Sequence, residues 1–103
     1  MEPSTMITAA ALATRIASAV ASEVSGAWSR LSDKERAAVQ ELAQDAAKVV
    51  LARVKNTWPE QKFQREWAQV VAQVQSVTAI VGNVIADSFV AVVEQQIKDL
   101  SKK

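Results

Sequence analysis

Cysteine, histidine and tyrosine are absent from the 103-residue chain, and glycine and proline occur only twice each. Without cysteine the chain forms neither disulfides nor cysteine-ligated zinc or iron–sulfur centres. Without histidine and tyrosine it has neither the usual proton shuttle near neutral pH nor the commonest metal ligand. The scarcity of glycine and proline argues against a loop-rich fold and predicts few, long secondary-structure elements.

The charges are almost balanced, since 12 Lys and Arg residues are set against 11 Asp and Glu residues. A formal net charge of +1 does not supply the positive field that holds proteins on nucleic acid at physiological salt. The sequence contains no glycine-rich phosphate loop and no aspartate-rich calcium loop. We therefore expect no catalytic site, no metal ion, no cofactor and no small-molecule substrate, and nucleic acid is the least favoured partner.

The remaining composition favours helices. Hydrophobic residues make up 50% of the chain, and alanine and valine dominate them. Alanine is the best helix former, and helices rich in it can approach one another closely. We predict an all-α fold in a single domain over residues 1–103. Its architecture is a small helical bundle, in which an antiparallel helical hairpin packs on one long C-terminal helix.

The first helix is predicted over residues 5–30, with Ser4 or Thr5 as its N-terminal cap. Large apolar residues recur at every fourth position and form one ridge: Leu12, Ile16, Val20, Val24 and Trp28. A neighbouring ridge consists of small residues: Ala9, Ala13, Ala17, Ala21 and Ser25. The small ridge leaves a shallow groove for another helix, and Gly26 is a local weak point.

The second helix is predicted over residues 33–55. Ser32 and Glu35 have the spacing of a capping box, in which each side chain satisfies a backbone amide at the helix start. Leu31 precedes the box as a hydrophobic staple. The short connection to the first helix predicts that these two helices form an antiparallel hairpin.

The third helix is predicted over residues 59–101 and begins within TWPEQKFQREW, residues 57–67. Proline suits a first helical turn, and the cap is either Thr57, in a second capping box with Glu60, or Trp58. Phe63 and Trp67 are expected in the core. The apolar seam continues in helical phase through Gly82, which favours an unbroken helix. A bend or a sharp turn at Gly82, with a fourth helix folded back, is the alternative.

An unbroken third helix would extend beyond the cover of the first two. Nothing in the chain would then shield its C-terminal apolar stripe, for which we predict a partner. The predicted interface is Val81, Val84, Ile85, Phe89, Val92, Val93, Ile97 and Leu100. Within it, Ser88 and Asn83 are candidates for fixing register.

These features favour a non-catalytic structural or assembly protein that acts by helix–helix association. Its partner would be itself, in a homo-oligomer, or another helical protein for which it serves as an adaptor. A small component of a viral or other large assembly would have this size and shape. Glu2 and Arg15 do not fit a secretory signal, so we favour a cytoplasmic location or one within an assembly.

Two other functions remain open on the sequence. Residues 70–93 carry one formal charge, Asp87, and have the length of a membrane-spanning helix, although several glutamines oppose that interpretation. A membrane is therefore the alternative partner. Weak nucleic-acid binding through Lys55, Lys62 and Arg65 is the second alternative, which the neighbouring Glu60 and Glu66 disfavour.

Overall fold

The computed structural model describes residues 8–101 and contains five helices in that range. They are α1 (Ala9–Glu23), α2 (Ser25–Ser29), α3 (Asp33–Lys55), α4 (Glu60–Val81) and α5 (Asn83–Ser101). Helix α3 packs against α1, α4 and α5, and α5 also packs against α1 and α4. The chain is thus a small all-α helical bundle, which confirms the predicted fold class.

The predicted first helix is interrupted at Val24, whose φ of −126° and ψ of 47° leave the helical region. The interruption separates α1 from α2 and lies two residues before Gly26, the expected weak point. Thr8 is extended, and its hydroxyl accepts a hydrogen bond from the Ala11 amide at 3.1 Å, which caps α1. The predicted start near residue 5, with its cap at Ser4 or Thr5, lies outside the described residues.

Helix α3 begins with the capping box expected from the sequence. The Glu35 amide donates to Ser32 Oγ at 3.2 Å, and the Ser32 amide donates to Glu35 Oε1 at 2.8 Å. Arg36 donates to the carbonyl oxygens of Trp28 and Ser29, which ties the end of α2 to the first turn of α3. Helix α3 ends at Lys55, and the next residue, Asn56, has a left-handed φ of 55° that is typical of a C-terminal cap.

Helix α4 starts after Pro59, which is extended and provides no side-chain cap. The capping box expected between Thr57 and Glu60 is therefore wrong, and so is the cap at Trp58. The Glu60 carboxylate instead accepts hydrogen bonds from Arg53 Nη1 at 2.6 Å and from Gln64 Nε2 at 2.7 Å. This contact joins the end of α3 to the start of α4.

The prediction of one helix over residues 59–101 is wrong, because the chain turns at Gly82. Gly82 has φ 94° and ψ 163°, a conformation in the half of dihedral space that residues with a Cβ rarely occupy. The turn brings α5 back onto α1 and α3. The alternative of a fourth helix that closes the bundle is the arrangement found.

The core draws on all four long helices. Its largest fully buried side chains come from α1, α3 and α5: Leu12, Ile16, Val20, Val39, Val50, Ile85, Phe89 and Val93. Helix α4 contributes Phe63, Val70 and Val74 to the same cluster. Because α4 supplies few buried residues along its length, much of its surface faces outward.

Candidate association surface

The stripe predicted as a partner interface lies largely inside the bundle. Four of its members are buried: Ile85, Phe89, Val92 and Val93. Three are half-buried: Val81, Ile97 and Leu100. Val84 is the exposed member, at 62%. The expectation that nothing in the chain covers this stripe is wrong, because α1 and α3 pack on α5. The role of these residues in binding a partner stays a prediction.

The outward side of α4 forms an uncharged surface. From residue 67 to residue 86 the sequence contains no Asp, Glu, Lys or Arg. The exposed residues of α4 in that stretch are Ala68, Gln69, Ala72, Gln73, Gln75, Ser76, Ala79 and Ile80, which we call the neutral face. Within it, Gln69, Ala72, Ser76 and Ala79 follow steps of three and four, the spacing of a coiled-coil seam.

Two large apolar side chains are exposed where α4 turns into α5. Ile80 is 55% exposed and Val84 is 62% exposed, and they lie on either side of Gly82. Other large hydrophobic residues in the described part of the chain are at least partly covered. Ile80 belongs to the neutral face, so this apolar corner and the uncharged surface are continuous. The lack of charge is a feature that this surface shares with the centres of protein–protein interfaces.

The aromatic segment at the start of α4 is part of the bundle. Phe63 is buried, and the Arg53 guanidinium carbon lies 4.2 Å from the centroid of its ring. Trp58 is half-buried, and Lys62 Nζ lies 5.0 Å from the centroid of its ring. Both cations therefore bind rings of the same chain. Trp67 is half-buried against the core, as expected for a bundle residue.

An exposed ion pair between Arg53 and Glu60 links the end of α3 to the start of α4. Hydrogen bonds from Gln64 and Arg53 lower the pKa of the Glu60 carboxyl below its ordinary value. Glu60 and Arg53 are both substantially exposed, so water screens their attraction. The arrangement orients the connection between the two helices, and we assign no chemistry to it.

The small-residue ridge of α1 borders an open groove. The groove has a volume of about 600 Å³ and runs between α1 and α3. Ala9, Ala13 and Ala17 line one wall, and Gln40 and Gln44 line the other. The polar residues that line the groove, among them Gln40, Gln44 and Lys48, are all exposed, so no buried polar group is held in place to orient a small ligand.

The two polar residues expected to fix register occupy different environments. Ser88 is 9% exposed, and its Oγ has no hydrogen-bond partner among the described residues. Asn83 is exposed at the start of α5. Asp87, the one acid within residues 70–93, is also exposed. The polar groups near the Gly82 turn therefore do not converge on a single point.

Within residues 8–101 no group of three or more acidic, histidine or cysteine side chains is placed to hold a metal ion. Over the same residues, no helix has both the length and the apolar character needed to cross a membrane. The charge-free stretch that suggested a membrane span is divided by the Gly82 turn, and its glutamines lie on the outside of α4.

Sequence reasoning missed the neutral face. Its signal was present as a stretch without charge, but the sequence does not show which side of α4 faces the core. Comparisons of the chain with protein-family models, with curated proteins and with solved structures gave no match. The surface of the bundle is therefore the basis for proposing a function.

Proposed function

We propose that this protein is a non-catalytic structural or assembly protein that acts by helix–helix association, with a second copy of itself as its partner. The observation that carries the proposal is the neutral face of α4, which ends at the exposed Ile80. The centres of protein–protein interfaces are depleted in charged residues. An exposed helix face without charge is therefore suited to burial against another protein.

The sizes of the side chains on this face support self-association. Small residues let two helices approach closely, whereas Ile80 projects from the surface as a larger apolar group. In an antiparallel pair of α4 helices with Ser76 at the two-fold axis, Ile80 of each copy lies opposite Ala72 of the other. A symmetric interface must be complementary to itself, and this register places large residues against small ones.

The same surface suits a helix of another protein, for which this chain would serve as an adaptor. A small component of a viral or other large assembly is a setting in which such a surface would be used. The two alternatives from the sequence, insertion of residues 70–93 into a membrane and nucleic-acid binding through Lys55, Lys62 and Arg65, gain no specific support. Lys62 is engaged with Trp58, and exposed glutamines occupy α4.

A charge placed on the neutral face tests the proposal. We expect the 103-residue chain to form a reversible oligomer of defined mass in sedimentation equilibrium. Ser76→Glu should weaken association roughly tenfold or more, because two like charges would meet near the axis. Ser76 is exposed, so the thermal unfolding of the variant should change little.

Ala37→Glu is the matched control, because Ala37 is exposed on α3 and lies outside the neutral face. It adds the same charge and should leave the sedimentation profile unchanged. Equal weakening by both variants would point to net charge and contradict a role for the neutral face. A wild-type chain that stays monomeric up to millimolar concentration would overturn the proposed self-association.

A further inference from the structure

The connection between α4 and α5 is a single residue, Gly82. Its amide donates to the Thr78 carbonyl at 2.8 Å, and its carbonyl accepts from the Ala86 amide at 3.2 Å. Helical hydrogen bonding therefore continues up to the glycine from one side and resumes from it on the other. A Cβ at this position would meet nothing within 4 Å, so its backbone conformation, and not close packing, makes glycine suitable here.

The sequence on both sides of Gly82 is compatible with one straight helix. Val77, Val81 and Ile85 are spaced by four, and so are Ile80 and Val84, so the apolar pattern keeps helical phase through the glycine. Straightening would let the amides of residues 83–85 donate to the carbonyls of residues 79–81. A change in the dihedral angles of about one residue thus separates a closed hairpin from a continuous helix.

Straightening would remove α5 from its own bundle. In the closed chain Ile85, Phe89 and Val93 are buried where α5 packs on α1 and α3. A continuous helix cannot return to that position, so the place on α1 and α3 would be left open. The segment that fits it is α5 of a second copy, which would make the same contacts there. The surfaces that would meet in the dimer, α5 on one side and α1 with α3 on the other, are already complementary within one chain.

From these observations we infer that two copies of this protein form a dimer by exchanging α5, with Gly82 as the hinge. This inference rests on the proposed self-association but gives it a different geometry, in which the Gly82 hinges, and not Ser76, lie near the two-fold axis. The exchanged helix restores the interface predicted for the stripe from Val81 to Leu100, now between two chains.

The surface around the hinge fits this arrangement. Ile80 and Val84 are the exposed large apolar residues of the described chain, and both flank Gly82. In an exchanged dimer the two hinge segments cross near the two-fold axis, so these residues gain cover from the partner. The segment from residue 67 to residue 86 has no charge, and the exposed Asp87, one turn beyond Val84, is the nearest charged residue after the hinge.

Cross-linking tests the exchange directly. The chain has no cysteine, so a thiol reagent reacts only with the cysteines that are introduced. Ser22 of α1 and Gln95 of α5 line one groove, so a Ser22→Cys, Gln95→Cys variant places one thiol on each side of it. The dimer fraction is isolated, treated with a short bifunctional thiol reagent and run on a denaturing gel. Exchange predicts covalent dimers, since each reacting pair then belongs to two chains.

Ser18→Cys with Gln40→Cys is the matched control. These residues line the groove between α1 and α3, which the exchange leaves within one chain. Cross-linking of this pair should give covalent monomers from the same dimer fraction. Covalent monomers from the Ser22 and Gln95 pair as well would overturn the exchange.

Two hinge variants should shift the equilibrium in opposite directions. Gly82→Ala disfavours the positive φ and favours a helix, so we expect it to raise the dimer association constant roughly tenfold. Asn83→Pro should suppress the dimer, because proline suits the first turn of α5 and obstructs a continuous helix. Gly82 has a ψ of 163°, which is compatible with a following proline. Unchanged dimerisation in both variants would contradict the hinge.

The outcomes separate this inference from the proposed function. Suppose that Ser76→Glu dissociates the dimer and that cross-links form only within chains. This result would support association through the neutral face and contradict the exchange. Suppose instead that Ser76→Glu leaves the dimer intact and that cross-links form between chains. This result would support the exchange and contradict a role for the neutral face. A chain that is monomeric at every concentration removes both.

Discussion

Ser88 and Gln96 each bury a polar side-chain atom that has no hydrogen-bond partner within the described part of the chain. Ser88 is the more informative of the two, because it is 9% exposed and stands next to Phe89 in the core. An unpaired buried hydroxyl loses its hydrogen bonds to water and gains nothing in return. The Ser88 hydroxyl therefore destabilises the closed monomer.

Replacement of this hydroxyl should stabilise the protein. We expect Ser88→Ala to raise the free energy of unfolding by about 1 kcal/mol more than a serine-to-alanine change at an exposed helical site. Ser18→Ala is that control, because Ser18 is exposed within α1 and the change carries the same gain in helix propensity. Urea unfolding followed by circular dichroism measures both. Equal effects would show that Ser88 finds a partner in solution.

Among the helices, the start of α3 is set by its own sequence. Both hydrogen bonds of the capping box join Ser32 and Glu35, three residues apart, so local spacing was sufficient to predict them. The end of α3 also depends on a local feature, the left-handed Asn56. This helix therefore has the bounds that the sequence indicates.

The cap of α3 can be tested with two substitutions at one position. We expect Ser32→Ala to lower the free energy of unfolding by about 1 kcal/mol, whereas Ser32→Gly should lower it by only a few tenths, roughly a third of that. Glycine leaves the helix-start amides open to water, whereas alanine offers no acceptor and partly covers them. The measurement is chemical denaturation at fixed pH. Unchanged stability in Ser32→Ala would contradict a capping role for the Ser32 hydroxyl.

Local spacing was not sufficient to predict the turn at Gly82, because the apolar pattern is in helical phase on both sides of it. The choice between a straight helix and a turn depends on the contacts of α5 with α1 and α3, which are distant in sequence. The neutral face escaped prediction for a related reason. A stretch without charge fits a membrane, a core or an interface until the outward side of α4 is known.

The closed bundle and the proposed exchanged dimer would share one core. In both, α5 would lie on α1 and α3 and bury the same residues, so we expect the difference in free energy between the two forms to be concentrated at the hinge. Ile80, Gly82 and Val84 are then the residues that set the monomer–dimer ratio. Core residues of α5 set the stability of both forms.

Val93 and Val84 separate these two roles within one helix, because Val93 is 0% exposed and Val84 is 62% exposed. We expect Val93→Ala to lower the free energy of unfolding of the monomer by about 2 kcal/mol, and Val84→Ala to change it by less than about 0.5 kcal/mol. Denaturation at a concentration that keeps the chain monomeric measures both. Equal small effects would mean that α5 is not packed in the monomer.

The same Val84→Ala variant should weaken dimerisation in sedimentation without destabilising the monomer, because Val84 becomes covered only in the exchanged dimer.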